Sequence, residues 1–514
     1  MLTRREVIAG ASGLAVLGIT GGAVAQNAVL PRPRVYGTQT PTGLASYKLA
    51  VGEMLKLPKT DPRNWYRQAL IHIADCPHGN WWFLPWHRAH LARFEAICGE
   101  LIGDSNFRLP YWDYTESPSV PIAFWDTGLD PTKAPFDQDR IALFSELSSA
   151  ASTLWGTLSP AAISDLARKG INDANGLIAD ANNHWRWGSG PRRPSRLAPS
   201  LNPSAQSMVS KNYLTRVIGS QSFVSFASGS AGHHSESTTS GLLETGPHDN
   251  VHGATGGFMG AFMSPVDPIF WLHHANLDRL WDIWSRGKGF SDSTGLPNSS
   301  PAEQDLKQRF ERRAFHLFCD AKGNSIEVTT AESLSPPSLG YSYESGSLSE
   351  LAARAPTPSG IAPLSPLGTA LPNLNRLFRK GFESSATVAV RRSEIVEALD
   401  NTSRELIALI SLKAPDNAQM TRVRVYLNCP YLSQFTPLDD PHYVGTLSFF
   451  GSLHHAGHNH SETKTVALGP TLEKLRSAGL LPRSAFRIQL IPETLDGEAL
   501  LLGGELEGVS IAIA

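Results

Sequence analysis

The sequence predicts two folding units, a mainly α-helical domain followed by an all-β domain, and three observations lead there. Two aromatic-rich, helix-compatible stretches, Asp61 to Asp113 and Leu242 to Trp284, each hold closely spaced histidines. A run dense in Pro, Ser and Gly near Leu334–Pro372 then breaks the pattern, with Ser335-Pro336-Pro337 and Pro356-Thr357-Pro358-Ser359-Gly360 at its two ends, and reads as a linker. Beyond it come short apolar runs separated by turn residues: Ala386–Val390, Leu406–Leu412, Val423–Leu427 and Phe486–Ile491. These are strand signals. The expected segments are therefore a targeting peptide over 1–25, the helical domain over 26–333, a linker over 334–375 and a β-sandwich over 376–514.

The N-terminus reads as an export signal. Thr3-Arg4-Arg5-Glu6 precedes an apolar stretch from Val7 to Val24, and Ala23-Val24-Ala25 offers small residues for cleavage. The paired arginines and a weakly hydrophobic, glycine-containing core suggest the twin-arginine route, so the mature chain is expected in the periplasm or outside the cell. No later segment gives a clear transmembrane span, so no stable membrane insertion is expected once the signal is removed. Length supports more than one domain: 514 residues, 41% of them hydrophobic and 18% charged. The net charge of −2 and the lack of a basic block argue against a nucleic-acid partner. Four cysteines at wide spacing fit no zinc knuckle, and a disulfide among Cys98, Cys319 and Cys429 stays open. Between the histidine stretches, Ser159 and Pro160 supply an N-cap and a first helical residue for a helix to Ala181, and Arg186–Ser204 reads as a loop.

The chemistry lies in the histidines. The first cluster is His72, then Cys76-Pro77-His78, then Phe83-Leu84-Pro85-Trp86-His87-Arg88. The second is Glu244-Thr245-Gly246-Pro247-His248-Asp249-Asn250-Val251-His252, continuing through Asp267-Pro268 to His273-His274 and Asp278-Arg279. His248 and His252 stand four apart, so one helix face presents both imidazoles to one metal. A third ligand must come from another element, with His273 or His274 as candidates, while His72, His78 and His87 can form a second trio. No thiolate or carboxylate set accompanies them, which favours nitrogen-only coordination and copper. A zinc hydrolase built on His248 and His252 is the competing possibility, but Asp249 stands where the HExxH pattern has Glu.

These stretches resemble the two copper-binding regions of the tyrosinase, catechol oxidase and molluscan haemocyanin superfamily. The resemblance covers about 60–285, with Glu95 placed as in the first signature and Asp267-Pro268-x-Phe270-x-x-His273-His274-x-Asn276-x-Asp278-Arg279 as in the second. The later chain is similar to the β-domain that follows the catalytic domain in plant-type members. The resemblance implies an antiparallel four-helix bundle around a dinuclear copper site, plus a C-terminal all-β sandwich. One copper would take His72, His78 and His87 and the other His248, His252 and His274, with His273, Asp278 and Arg279 in support.

It also implies the reaction: O2 as co-substrate, and small phenols oxidised, ortho-diphenols to ortho-quinones, with monophenol ortho-hydroxylation. Cys76-Pro77-His78 matches a Cys-x-His whose sulfur is linked to the histidine ring. Glu244 matches a glutamate that holds a water near the copper pair, and Asp249 stands where strong monophenol hydroxylases often have Asn. Gly253 suggests a roomy entrance, and Phe262 is a candidate gate above the second copper. The β-domain is expected as an inhibitory shield, and the tract His454-His455-Ala456-Gly457-His458-Asn459-His460 reads as a solvated loop or sheet-end network, with copper capture as the alternative. An oxidase of ortho-aminophenols or bulky phenols, and a haemocyanin-like O2 binder, are the alternatives.

Overall fold

A computed structural model of the chain describes residues 29–513, apart from short segments such as 186–195, 233–237, 354–364, 451–460 and 495–502. The export signal and the tract 454–460 lie outside the described residues. Four helices carry the histidine-bearing stretches: α1 (Trp65–Asp75), α2 (Phe83–Ile102), α3 (a π turn over Glu244–His248 running into Asp249–Thr255) and α4 (Ile269–Lys288). Their ends are set locally. The Asn64 side chain accepts from the Tyr66 amide at the start of α1. α2 and α4 stop at Gly103 and Gly289, which take the left-handed conformation at φ 66° and 74°. Every residue of α1 is buried, as is most of α4, so these helices are core on all sides rather than amphipathic surface elements.

The helix expected over Ser159–Ala181 is two helices, Pro160–Arg168 and Ala174–Trp185. Ser159 caps the first as anticipated. Gly170, at φ 83°, ends it, and the Asp173 carboxylate accepts from the Gly176 amide as the second begins.

A charged hub fixes the bundle. Asp278 on α4 is buried and accepts hydrogen bonds from Arg32, Arg88, Tyr341 and Tyr343. Glu95 on α2 accepts from the same Arg32 and from the Leu109 amide. Arg32 lies in a short strand, Leu30–Arg32, that pairs in parallel with Tyr341–Tyr343. Two helices, the chain's N-terminal strand and the segment after residue 334 are thus tied at one point. The two arginines keep the Asp278 carboxyl below its usual range despite its burial.

The C-terminal part is a sandwich of two sheets. Its strands, with one from the helical domain, are β1 (Thr238–Ser240), β2 (Ser365–Ala370), β3 (Ser384–Ala389), β4 (Leu406–Lys413), β5 (Thr421–Leu427), β6 (Tyr443–Ser448), β7 (Ser461–Ala467), β8 (Ala485–Thr494) and β9 (Glu505–Ile513). One sheet has the order β1-β7-β4-β9-β2 and the other β6-β5-β8-β3. The four runs singled out in the sequence are β3, β4, β5 and β8. Strand alternation divides β4 between two cores: Leu406, Ala408, Ile410 and Leu412 fill the sandwich, while Ile407 joins the helical core. The expected linker is partly built in, since it supplies Tyr341–Tyr343 and β2. In turn β1 of the helical domain pairs in parallel with β7, so the sheet is completed by a strand from the other domain.

Replacing Asp278 by Ala leaves Arg32 and Arg88 buried without their shared carboxylate. Stability measured by denaturant unfolding is expected to fall by roughly 3–5 kcal/mol.

Candidate metal centre

Six imidazoles meet where α1, α2, α3 and α4 converge. His72 comes from α1, His87 from α2, His248 and His252 from α3 and His274 from α4; His78 comes from the loop between α1 and α2. Within the first trio the ring centroids are 5.6–6.0 Å apart. Within the second they are 4.6–5.4 Å apart. The trios adjoin: His87 stacks on His274 at 4.3 Å, and His78 lies 5.3 Å from His248. In each trio the possible ligand atoms lie within 4.8 Å of one another, with Cys76 joining the first group.

Backbone and carboxylate oxygens decide which nitrogen is free. His72 Nδ1 lies 2.9 Å from the Phe262 carbonyl, His87 Nδ1 2.7 Å from Phe83, His252 Nδ1 2.6 Å from Met259, and His248 Nδ1 2.8 Å from Asp249 Oδ1. A carbonyl only accepts, so Nδ1 carries the proton and Nε2 the lone pair. Nε2 of His72, His87 and His248 is buried with no hydrogen-bond partner, and His252 Nε2 faces His274 Nε2 at 3.1 Å. Buried acceptors left in that state are costly unless something else binds them. Burial also holds these imidazoles neutral, pushing His87 and His252 down to about 3. Neutral imidazoles with inward lone pairs fit a pair of metal ions, and nitrogen-only sets of three suit copper.

His273 is not part of either ligand group, but its ring packs against all three members of the second trio, 5.8 Å from His248, 4.9 Å from His252 and 5.1 Å from His274, and so walls that trio. His90, one turn after His87, sits between Trp86 and Trp271 and joins neither trio. Cys76 Sγ lies 3.2 Å from Nδ1 and 3.9 Å from Nε2 of His78, so the ring carbon bonded to both is in contact range. Cys98, Cys319 and Cys429 are buried and form no disulfide.

Glu244 bridges the trios. Its carboxylate accepts from the Gly79 amide at 2.8 and 3.0 Å and from the Ser228 hydroxyl at 2.6 Å, within reach of both His78 and His248. Burial pushes its carboxyl up to about 7, with Lys464 acting the other way. It starts the π turn, in which the Asp249 amide reaches back to the Glu244 carbonyl, a helical irregularity often found at functional sites.

Two expectations change. The Phe262 ring lies 5.6 Å from His72 and 5.3 Å from His78, over the first trio rather than the second. The cause is local: the Met259 carbonyl is anchored to His252 and the Phe262 carbonyl to His72, so residues 259–262 cross from one trio to the other. The C-terminal domain adds Phe450, just after β6, to the second trio, stacked on His252 at 3.8 Å and 5.6 Å from Phe262. Gly253 does not open an entrance here, because a Cβ there would lie 2.8 Å from Ser448 Oγ. The missing side chain makes room for the C-terminal domain. Phe449-Phe450 at a strand end was the available sequence signal, but a core pair reads the same way.

Replacing His72 by Ala leaves the second trio whole and the first with two histidines. Bound metal in the purified protein is expected to fall by about half, as outer ligands alone do not restore a lost imidazole. Loss of all metal would show that the trios load as one unit.

Known proteins point the same way. Residues 59–287, which contain all six histidines, match the common central domain of tyrosinase. A tyrosinase of Hahella sp. is 28% identical over 61% of this chain and 62% of its own, so the chain spans less than two thirds of that relative. The (+)-larreatricin hydroxylase of Larrea tridentata is 25% identical over 91% of this chain and 76% of its own. Latent apple tyrosinase shares the fold, with a TM-score of 0.57 at 21% identity over 95% of this chain and 98% of its own. Residues 59–287 thus carry the common central domain of tyrosinase, and the chain as a whole is similar to tyrosinases and polyphenol oxidases.

Proposed function

We propose that the chain oxidises phenols with O2 at a histidine-bound copper pair, converting ortho-diphenols to ortho-quinones and hydroxylating monophenols beside the hydroxyl. The observation that carries this is the convergence of buried, unprotonated imidazole nitrogens in two adjoining trios. His72, His78 and His87 would hold one ion, and His248, His252 and His274 the other. A copper pair supplies two-electron exchange with O2 without releasing radicals.

The chain's own groups do the rest. The faces of His252 and Phe262, now against Phe450, form an apolar slot for an aromatic ring. Glu244, through a held water, takes the proton of a monophenol. Its elevated pKa suits a base working near neutrality. Asp249 fixes the His248 tautomer. A thioether between Cys76 and His78 belongs to the same reading and would restrain the one loop-borne ligand. The C-terminal domain is the inhibitory shield: the Phe450 ring occupies the slot a substrate ring would use. Export by the twin-arginine route would let the protein leave the cytoplasm already folded around its metal.

Purified protein should contain copper and turn over catechol. Zinc in its place, or copper without turnover, would overturn the assignment. Because the base must be deprotonated, monophenol hydroxylation should rise with pH through about 7. Glu244→Gln should lower it by roughly a hundredfold or more while sparing catechol oxidation. Protein clipped between the domains should turn over catechol faster than intact protein, and equal rates would remove the shield role.

A further inference from the structure

Strand β7 has a polar sequence, Ser461-Glu462-Thr463-Lys464, that looks made for a solvent-exposed sheet edge, where lysines discourage unwanted pairing. The structure uses it otherwise. The edge is covered by β1, and Lys464 is 2% exposed. Glu462 and Lys464 alternate onto the same face, toward the helical domain. Lys464 Nζ lies 2.8 Å from Asp249 Oδ2 and 3.1 Å from Glu462 Oε2. Asp249 is 1% exposed, and its other oxygen is taken by His248.

We propose that Lys464 locks the C-terminal domain onto the metal centre by serving as the counter-ion of Asp249. The argument rests on the partition of partners. The helical domain answers one oxygen of Asp249 with His248; the second is answered from the other domain. Two flanking contacts grip the same turn of α3: the Thr465 amide donates to Thr245 Oγ1 at 3.3 Å, and the Asn250 side chain donates to the Thr446 carbonyl at 2.9 Å. Those are neutral hydrogen bonds and weak one by one. A buried ammonium between two carboxylates differs, because removing one partner strands an opposite charge in a site that excludes water. Asp249 therefore has a second task beside orienting His248: it is the docking residue for Lys464. The lock deepens the shield described under the proposed function and rests on it only for its effect on turnover, since docking itself is measured separately.

The test compares full-length protein with Lys464→Met, Asp249→Asn and the double variant. Hydrogen exchange over Thr238–Ser240 and Glu462–Lys464, leaving out Thr239 whose amide donates to the Gly79 carbonyl within the helical domain, reports whether β1 and β7 stay paired, whatever the metal content. Lys464→Met keeps the length of the side chain but leaves Asp249 uncompensated, and exchange there should rise by about tenfold or more. Adding Asp249→Asn removes the charge stranded inside the helical domain, leaving only that of Glu462 on β7 itself, and should restore most of the protection, a coupling that loss of packing alone would not produce. Lys464→Arg should stay protected and serves as the control for folding. Wild-type protection in Lys464→Met, or a double variant as unprotected as the single, would overturn the lock. Raised exchange with unchanged catechol turnover would support the lock and remove the shield.

Discussion

The helical domain is organised around six converging imidazoles, four of which have one nitrogen held inward by an acceptor behind the ring. Three of those four acceptors are backbone carbonyls. The carbonyls of Phe262, Phe83 and Met259 do this for His72, His87 and His252. His248 takes a carboxylate instead, from the residue beside it. A backbone carbonyl cannot titrate and moves only with its helix or turn. Ligand orientation is therefore as stable as the packing of the bundle, and the Asp278 hub holds that packing from outside.

His248 is the exception. Its acceptor, Asp249, is a buried carboxylate, and among the described residues the cation that meets it is Lys464 of the other domain. The balancing ammonium comes from β7. One helix of the metal centre thus reaches electrostatic completion only when the second domain is docked, and the same docking places Phe450 against His252. Chemistry and cover are joined through adjacent side chains of α3.

Much of this was legible in the sequence. The six converging histidines stand in two dense clusters, and the four-residue spacing of His248 and His252 specifies a shared helix face. Four strands of the sandwich were visible as alternating or apolar runs. The rest depends on tertiary contact. Phe262 sits over the first trio because two carbonyl anchors pull its segment across, and no local pattern records that. Gly253 has the same composition signal whether it faces solvent or Ser448. Strand β7 reads as a polar edge until its neighbour is known, and β1 is too short to be seen without the sheet it completes. The helix expected up to Ala181 was divided by Gly170, whose left-handed backbone needs no side-chain pattern to announce it.

The chain order of the lid has a consequence in time. About 120 residues separate Tyr343, the last member of the charged hub, from Lys464, with Phe450 near the end of that interval. Domains emerge and fold from the N-terminus at roughly 5–20 residues per second, so the helical domain stands uncovered for some 6–24 seconds of synthesis. During that interval its converging imidazoles lack the cover of the second domain, which an aromatic ring and a buried ion pair afterwards supply. Translation itself thus provides an early opening for metal loading, and a chain left empty then must wait for its lid to lift.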